Sequence, residues 1–399
     1  MTSTSTQAPP LLSVVMANFQ AGDKLVPAIE SVLRQSVGDL ELIVCDDASA
    51  DHSVSVVERF MREDARVSLI AAPANGGPAR CRNRGLEAAR GQWIAVVDAD
   101  DIIHPERFER LLGAAAYYGA SIIADDLLHF YEDGAPVELL LDRDVPFRVT
   151  AEQWIGAGLH GSPSLGYLKP LIRADILGSQ RYDESLRIGE DYDLVLRLLL
   201  AGASMVVAPE PYYLYRRHSG SISHRLSIAD LAAMIESQDA MMGELGALPP
   251  ELSAAFGARR AQLHQGLAFE RLVGAIKVRQ AGRALSLLMR EPHLAKRLWQ
   301  SFVEGQRRRS APAAARRQSP GKVKLGPSGH PVPAYIAAND VDWTAPRPRQ
   351  SWRKLADLSR GQPVDVICAD KASRYAAGFI PLARVSETVF GADLPEFAK

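Results

Sequence analysis

Three aspartates in four residues, Asp98-Ala99-Asp100-Asp101, close the apolar run Trp93-Ile94-Ala95-Val96-Val97. Carboxylates this close repel one another and resist leaving water. At the carboxyl end of a buried strand, the usual compensation is a divalent metal carrying a phosphate ligand. A helix N-cap ahead of Pro105 accounts for one of the three and poorly for the others.

Four more segments carry chemistry. In Asp46-Asp47-Ala48-Ser49, Asp47 can accept an N–H from a nucleobase edge or simply organise the turn, while Ser49 and Asp51 read as turn residues. Asn75-Gly76-Gly77-Pro78 leads into a helix bearing Arg80, Arg82 and Arg84. A helix N-terminus and guanidinium groups both suit a diphosphate. Arg80 and Arg84 share a face, so Arg82 is expected in solvent. No Gly-Lys-Ser/Thr follows, which excludes a Walker loop. Gly189-Glu190-Asp191-Tyr192-Asp193 opens an apolar helix; its acids either favour the helix dipole or supply a general base for a hydroxyl. In Tyr215-Arg216-Arg217-His218, the imidazole is a surface group or a metal ligand, and arginine suits phosphate.

The elements that must position these residues show in the periodicity. β-rich runs at Ser13–Met16, Glu41–Cys45, Val67–Ala71, Trp93–Val97 and Ser121–Ala124 alternate with helical patterns at Asp23–Gln35, Ser53–Met61, Pro78–Arg90 and Pro105–Tyr118. Such alternation predicts an α/β fold with a mostly parallel sheet covered on both faces, its ligands at the carboxyl ends of the strands. Further strands are expected at Leu127–Tyr131, Tyr167–Ile172, Ser204–Ala208 and Tyr212–Arg216, and helices at Thr150–Gly156 and Asp191–Ala201. The expected division is a catalytic domain over 11–225, a helical extension over 226–305, a basic Pro/Ala/Ser-rich linker over 306–333 and a small segment over 334–399. From Arg307 to Lys324 there are seven basic residues and no acidic one. That run is a solvated linker or a tether to anionic lipid.

Composition limits the rest. A net charge of −1 in 399 residues gives no global attraction to nucleic acid. Three widely spaced cysteines, Cys45, Cys81 and Cys368, argue against a disulfide framework or zinc site and fit a reducing cytoplasm. Residues 1–10 lack a signal-peptide pattern, and no apolar run is long enough to span a bilayer.

Six motifs in order resemble the family 2 glycosyltransferases of the GT-A fold. Ser13-Val14-Val15-Met16-Ala17-Asn18-Phe19 is similar to that family's first strand, Asp46 to Asp51 to its V-D-D-G-S-x-D turn, and Asn75 to Gly85 to N-x-G-x-x-x-A-R-N-x-G. Asp98-Ala99-Asp100 resembles its D-x-D element, Glu190-Asp191 its E-D motif and Arg216 to Ser223 its R-x-H-x-x-S-x-S tail. Gly166 to Pro170 and Glu190 to Asp193 further resemble the bacterial succinoglycan-type exopolysaccharide branch. The resemblance implies inverting transfer of one sugar from a nucleotide-diphosphate donor, most often a UDP-hexose, to a saccharide acceptor, here lipid-linked, at the cytoplasmic membrane face. It implies that Ala17 and Asn18 line the nucleotide cleft, Asp47 meets the base and Asp98 the ribose or donor sugar. Asp100, with His218, would hold Mn2+ or Mg2+, and Arg216 would close over the diphosphate. Asp191 would be the base and Glu190 a supporting contact.

Ala17-Asn18 departs from the usual Pro-Thr, and the processive Q-x-x-R-W signature is missing. The competing expectations are an inactive sugar-nucleotide or glycan binder of the same fold and a sugar nucleotidylyltransferase. The latter lacks its glycine- and arginine-rich loop after the first strand.

Overall fold

Strand β1 (Leu12–Asn18) is buried along almost its whole length, and β2 (Leu40–Asp46) likewise. Strands covered on both faces need apolar side chains at nearly every position, as the runs Val14-Val15-Met16 and Leu42-Ile43-Val44 supply. The computed structural model describes residues 8–131, 138–141, 143–159, 161–217, 226–310, 364–368 and 383–388.

The first half alternates strand and helix as the periodicity requires: β1, α1 (Leu25–Leu33), β2, α2 (Ser53–Glu63), β3 (Val67–Ala71), α3 (Pro78–Ala88), β4 (Trp93–Val96), β5 (Ile102–Ile103) and α4 (Arg107–Tyr118). Strands β3, β2, β1 and β4 lie side by side and parallel. Helix α3 sits close on the sheet, because a Cβ on Gly85 would come within 2.4 Å of Val15 Cγ1. Pro78 is its first residue, where a missing N–H costs nothing. Pro105, expected to open α4, precedes that helix by two residues.

The second half is mixed. Strand β6 (Ile122–Tyr131) is one element where two were expected, and β7 (Glu138–Leu139) pairs with it. Next come β8 (Phe147–Val149), α5 (Ala151–Gly156), β9 (Leu171–Arg173), α6 (Ala174–Leu177), α7 (Glu190–Leu200) and β10 (Met205–Arg217). Strand β10 also fuses two expected strands, with a register shift between Ala208 and Tyr213 that absorbs Pro209 and Pro211. Thr150 caps α5 through a capping box with Gln153. Strand β9 runs antiparallel to both neighbours, β4 and β6. Its leading residue therefore lies at the rim where β4 ends, although the two are far apart in sequence.

Helices α8 (Ile228–Leu245), α9 (Pro250–Lys277), α10 (Ala281–Arg290) and α11 (His293–Ser310) follow. Helix α9 packs on α8, α5 and α10. Strands β11 (Val364–Cys368) and β12 (Ala383–Thr388) form a separate parallel pair.

Under the rim, Arg107 of α4 is fully buried against Asp125 of β6, with N–O distances of 2.8–3.2 Å, and also donates to the Lys169 carbonyl. Its guanidinium lies 4.9 Å from the centre of the Tyr213 ring. Burial pushes the Asp125 carboxyl up, partly offset by Arg107. Removing one partner of such a pair leaves an uncompensated charge, so Arg107→Met should cost about 3–5 kcal/mol in urea denaturation. Arg107→Met with Asp125→Leu should recover much of that loss.

Candidate active site

Two buried cations gather three carboxylates at the carboxyl rim of the sheet. Arg82 of α3 donates from Nη1 to Glu190 Oε1 at 2.5 Å and from Nη2 to Asp98 Oδ1 at 2.9 Å, and its Nη1 lies 3.6 Å from Asp191 Oδ1. Lys169 Nζ lies 2.9 Å from Asp98 Oδ2 and 2.9 Å from Asp191 Oδ2. Arg82 and Lys169 are each only 5% exposed. The segments that meet here are distant in sequence: the end of β4, the second turn of α3, the residues before β9 and the first turn of α7.

Local structure explains each placement. Asp98 follows β4 directly. Glu190 and Asp191 start α7 after Gly189, whose φ of +92° suits glycine. Their carboxylates thus serve the helix dipole and the ion cluster together. Lys169 stands before β9, which the antiparallel pairing Ala95↔Leu171 carries to the end of β4. The Arg107 bond fixes its carbonyl.

Charge and burial compete throughout. Burial pushes the Asp98 carboxyl up, but Lys169 and then Arg82 outweigh it and hold Asp98 well below its ordinary range. Burial opposes charge on Lys169, yet Asp191 and Asp98 keep its ammonium well above its ordinary value. Burial and then Asp191 push the Glu190 carboxyl up, against Arg82. Asp101 goes well above the usual carboxylate range through burial and the charges of Asp100 and Asp98. It accepts the Tyr213 hydroxyl at 2.8 Å and the Arg216 N–H at 2.7 Å. Arg216 Nε donates to the Asp100 carbonyl at 2.7 Å.

Asp47 occupies the neighbouring part of the rim. It is 2% exposed and accepts the N–H groups of Gly76 and Gly77 at 2.8–3.1 Å and Arg84 at 2.5 Å. Its own N–H reaches the Asn18 carbonyl at 2.9 Å. Asn18 Nδ2 donates to Asp46 at 2.6 Å, which fixes the amide and leaves Asn18 Oδ1 buried without a partner. Ala17 is half-buried beside it, and Phe19 is 51% exposed.

The structure therefore brings Asp98, Glu190 and Asp191 into one cluster, and Asp47, Arg84 and Asn18 into a second along the same rim. Asp100 and Arg216 border the first. Arg80 enters neither: its side chain is 65% exposed and 3.9 Å from Glu184. The expectation of a solvated Arg82 is corrected. Arg82 falls three residues after Ala79 and four before Leu86, on the buried face of α3. That spacing was available in the sequence. Lys169 was missed as well, and only the reversal of β9 identifies it. His218 lies outside the described residues.

The S. aureus TarS 1-349 structure in complex with UDP-GlcNAc superposes with a TM-score of 0.51 at 19% identity, covering 69% of this chain and 79% of TarS 1-349. The shared architecture is that of the GT-A glycosyltransferases. Residues 13–163 match the family model described as Glycosyl transferase family 2. Succinoglycan biosynthesis protein ExoO of Rhizobium meliloti (strain 1021) is 33% identical over 330 residues, 81% of this chain and 91% of ExoO. ExoU of the same strain is 32% identical over 248 residues, 59% of this chain and 70% of ExoU. The chain belongs to glycosyl transferase family 2.

The ion cluster should show in stability against pH. Because Asp98 is lowered, its pairs stabilise the fold above about pH 4, and that share is lost as pH falls through the lowered value. Lys169 is raised, so its share is present below its ordinary value and lost only in strong alkali. Lys169→Met should cost about 3–5 kcal/mol at neutral pH and flatten the loss of stability on acidification, as read by chemical denaturation. Arg80→Ala should stay within about 0.5 kcal/mol of the parent.

Proposed function

We propose that this glycosyltransferase moves one hexose, with inversion, from a nucleoside-diphosphate donor to a saccharide acceptor during exopolysaccharide biosynthesis. The observation that carries the reading is the meeting of Asp98 with Glu190 and Asp191 around Arg82 and Lys169. A donor-side carboxylate and a base-side carboxylate then face one small volume. The UDP-GlcNAc bound to TarS and the succinoglycan role in the names of ExoO and ExoU support a UDP-sugar and a saccharide acceptor, which this reading takes to be lipid-linked. No helix among the described residues is long and apolar enough to cross a membrane. Work at the inner membrane face would therefore rest on peripheral contact.

In this reading the unpartnered Asn18 Oδ1 accepts an N–H from the base, and the exposed Phe19 ring covers its apolar face. Asp47 sets the cleft by holding the Gly76-Gly77 loop and Arg84, which border the donor. Asp98 receives a ribose or sugar hydroxyl, and Arg216 lies over the diphosphate.

Asp100, the half-buried second carboxylate of the D-x-D element at the end of β4, would hold Mn2+ or Mg2+. Among the described residues no three acidic, histidine or cysteine side chains are placed to hold a metal ion by themselves, so donor phosphate oxygens would complete the shell, with His218 as a further ligand. When bound, the cation neutralises charge on the departing diphosphate.

Asp191 takes the acceptor hydroxyl proton as the new carbon–oxygen bond forms at the anomeric carbon. The bond to the diphosphate breaks on the opposite face, and the nucleoside diphosphate leaves. Lys169 and Arg82 hold Asp191 in position for this transfer, and Glu190 fixes Arg82 from the other side. Positioning of this kind supplies much of a displacement's acceleration.

Asp191→Asn should lower transfer by about 10²–10⁴-fold while leaving UDP affinity unchanged, measured by UDP release and calorimetry across a panel of UDP-hexoses. Normal turnover would remove Asp191 as the base. Asp100→Ala should abolish the gain in UDP affinity on adding manganese; an undiminished gain would reassign the metal.

A further inference from the structure

Helix α10 has apolar side chains on two sides. Ala284, Leu287 and Leu288 turn inward and pack with Leu272, Ala275 and Leu294. Leu285 and Met289, one turn apart on the other side, are 60% and 75% exposed. In the turn before them Val278 is 64% exposed, and Ile276 at the end of α9 is 43% exposed. Trp299 of α11 is 67% exposed. Scattered exposed apolar residues are ordinary, but five of the eleven large ones among the described residues fall between 276 and 299. A helix apolar on both sides is stable with a second covering surface.

The charge of this stretch bears on what could cover it. Lys277, Arg279, Arg283, Arg290 and Lys296 are all exposed along the same stretch as these apolar residues, and Glu291 is the one acid between 276 and 300. The whole chain carries a net charge of −1, so this stretch is set apart from the rest. A second copy docking face to face would bring like charges together. An anionic surface would not, and apolar residues rimmed by Lys and Arg match the interfacial pattern.

We propose that α10, with the turn before it and the start of α11, docks on an anionic lipid surface. Leu285, Met289 and Val278 enter the headgroup–acyl boundary, and the basic rim meets lipid phosphates. These residues precede the basic run at 307–324 in sequence.

The test is flotation of the full chain with vesicles of equimolar phosphatidylglycerol and phosphatidylcholine, against vesicles of phosphatidylcholine alone. The parent should float with the first and not the second, and added salt should weaken it. Leu285→Ser with Met289→Ser should cut the bound fraction about tenfold. Arg283→Glu with Arg290→Glu should do the same, while UDP binding by both variants stays at the parent level. A parent that stays at the bottom with anionic vesicles overturns the proposal. So do variants that float like the parent, which would give any contact to another segment. A parent dimer in solution that the Leu285→Ser, Met289→Ser variant dissolves would assign the face to a second copy and overturn it too.

Discussion

The rim depends on a shared neutralisation: two cations, nearly closed off from water, divided among three carboxylates. Neither Arg82 nor Lys169 could be buried alone, since an isolated charge in the interior costs several kcal/mol. Nor could Asp98, Glu190 and Asp191 crowd together without them. Each side makes the other affordable, and the geometry follows. Arg82 ties α3 to β4 and α7, and Lys169 ties the lead of β9 to the same two. The Arg107–Asp125 pair below repeats this logic one layer deeper and anchors the Lys169 main chain. A buried ionic network is weak evidence for stability compared with packed hydrocarbon. Its presence at the strand ends suits the proposed role of this rim in meeting a charged donor.

One reversed strand makes this arrangement available. Had β9 run parallel to β4, the residue before it would lie at the opposite edge of the sheet. Because Ala95 pairs with Leu171 and Ile123 pairs with the same residue from the other side, Lys169 falls between the ends of β4 and the middle of β6. The mixed second half of the sheet thus brings a cation where the parallel first half leaves acids.

Much of this was legible in the sequence, and the rest was hidden for identifiable reasons. The alternation of periods marked β1 to α4, and the improbable density of acids marked Asp98 and Glu190-Asp191. Asp125-Asp126 and Pro209-Glu210-Pro211 looked like breaks. The first is absorbed by the Arg107 ion pair and by the Leu127 and Leu141 N–H groups that Asp126 accepts, the second by a register shift. Strands β6 and β10 therefore run through. Arg82 was readable from Ala79 and Leu86 but lost to the more obvious Arg80–Arg84 spacing. Lys169 carried no local signal, since its role comes from a pairing partner more than seventy residues away.

Helix α9 has a further consequence. Its first half touches the start of α7, where the Arg259 guanidinium lies 4.1 Å from the centre of the Tyr192 ring, next to Asp191. Its far end delivers the chain to α10. At 1.5 Å per residue, Arg259 to Lys277 measures about 27 Å along the axis. An unbroken helix resists bending, so that length acts as a ruler. Under the proposal that α10 docks on lipid, this fixed length would help set how far the rim stands from that surface.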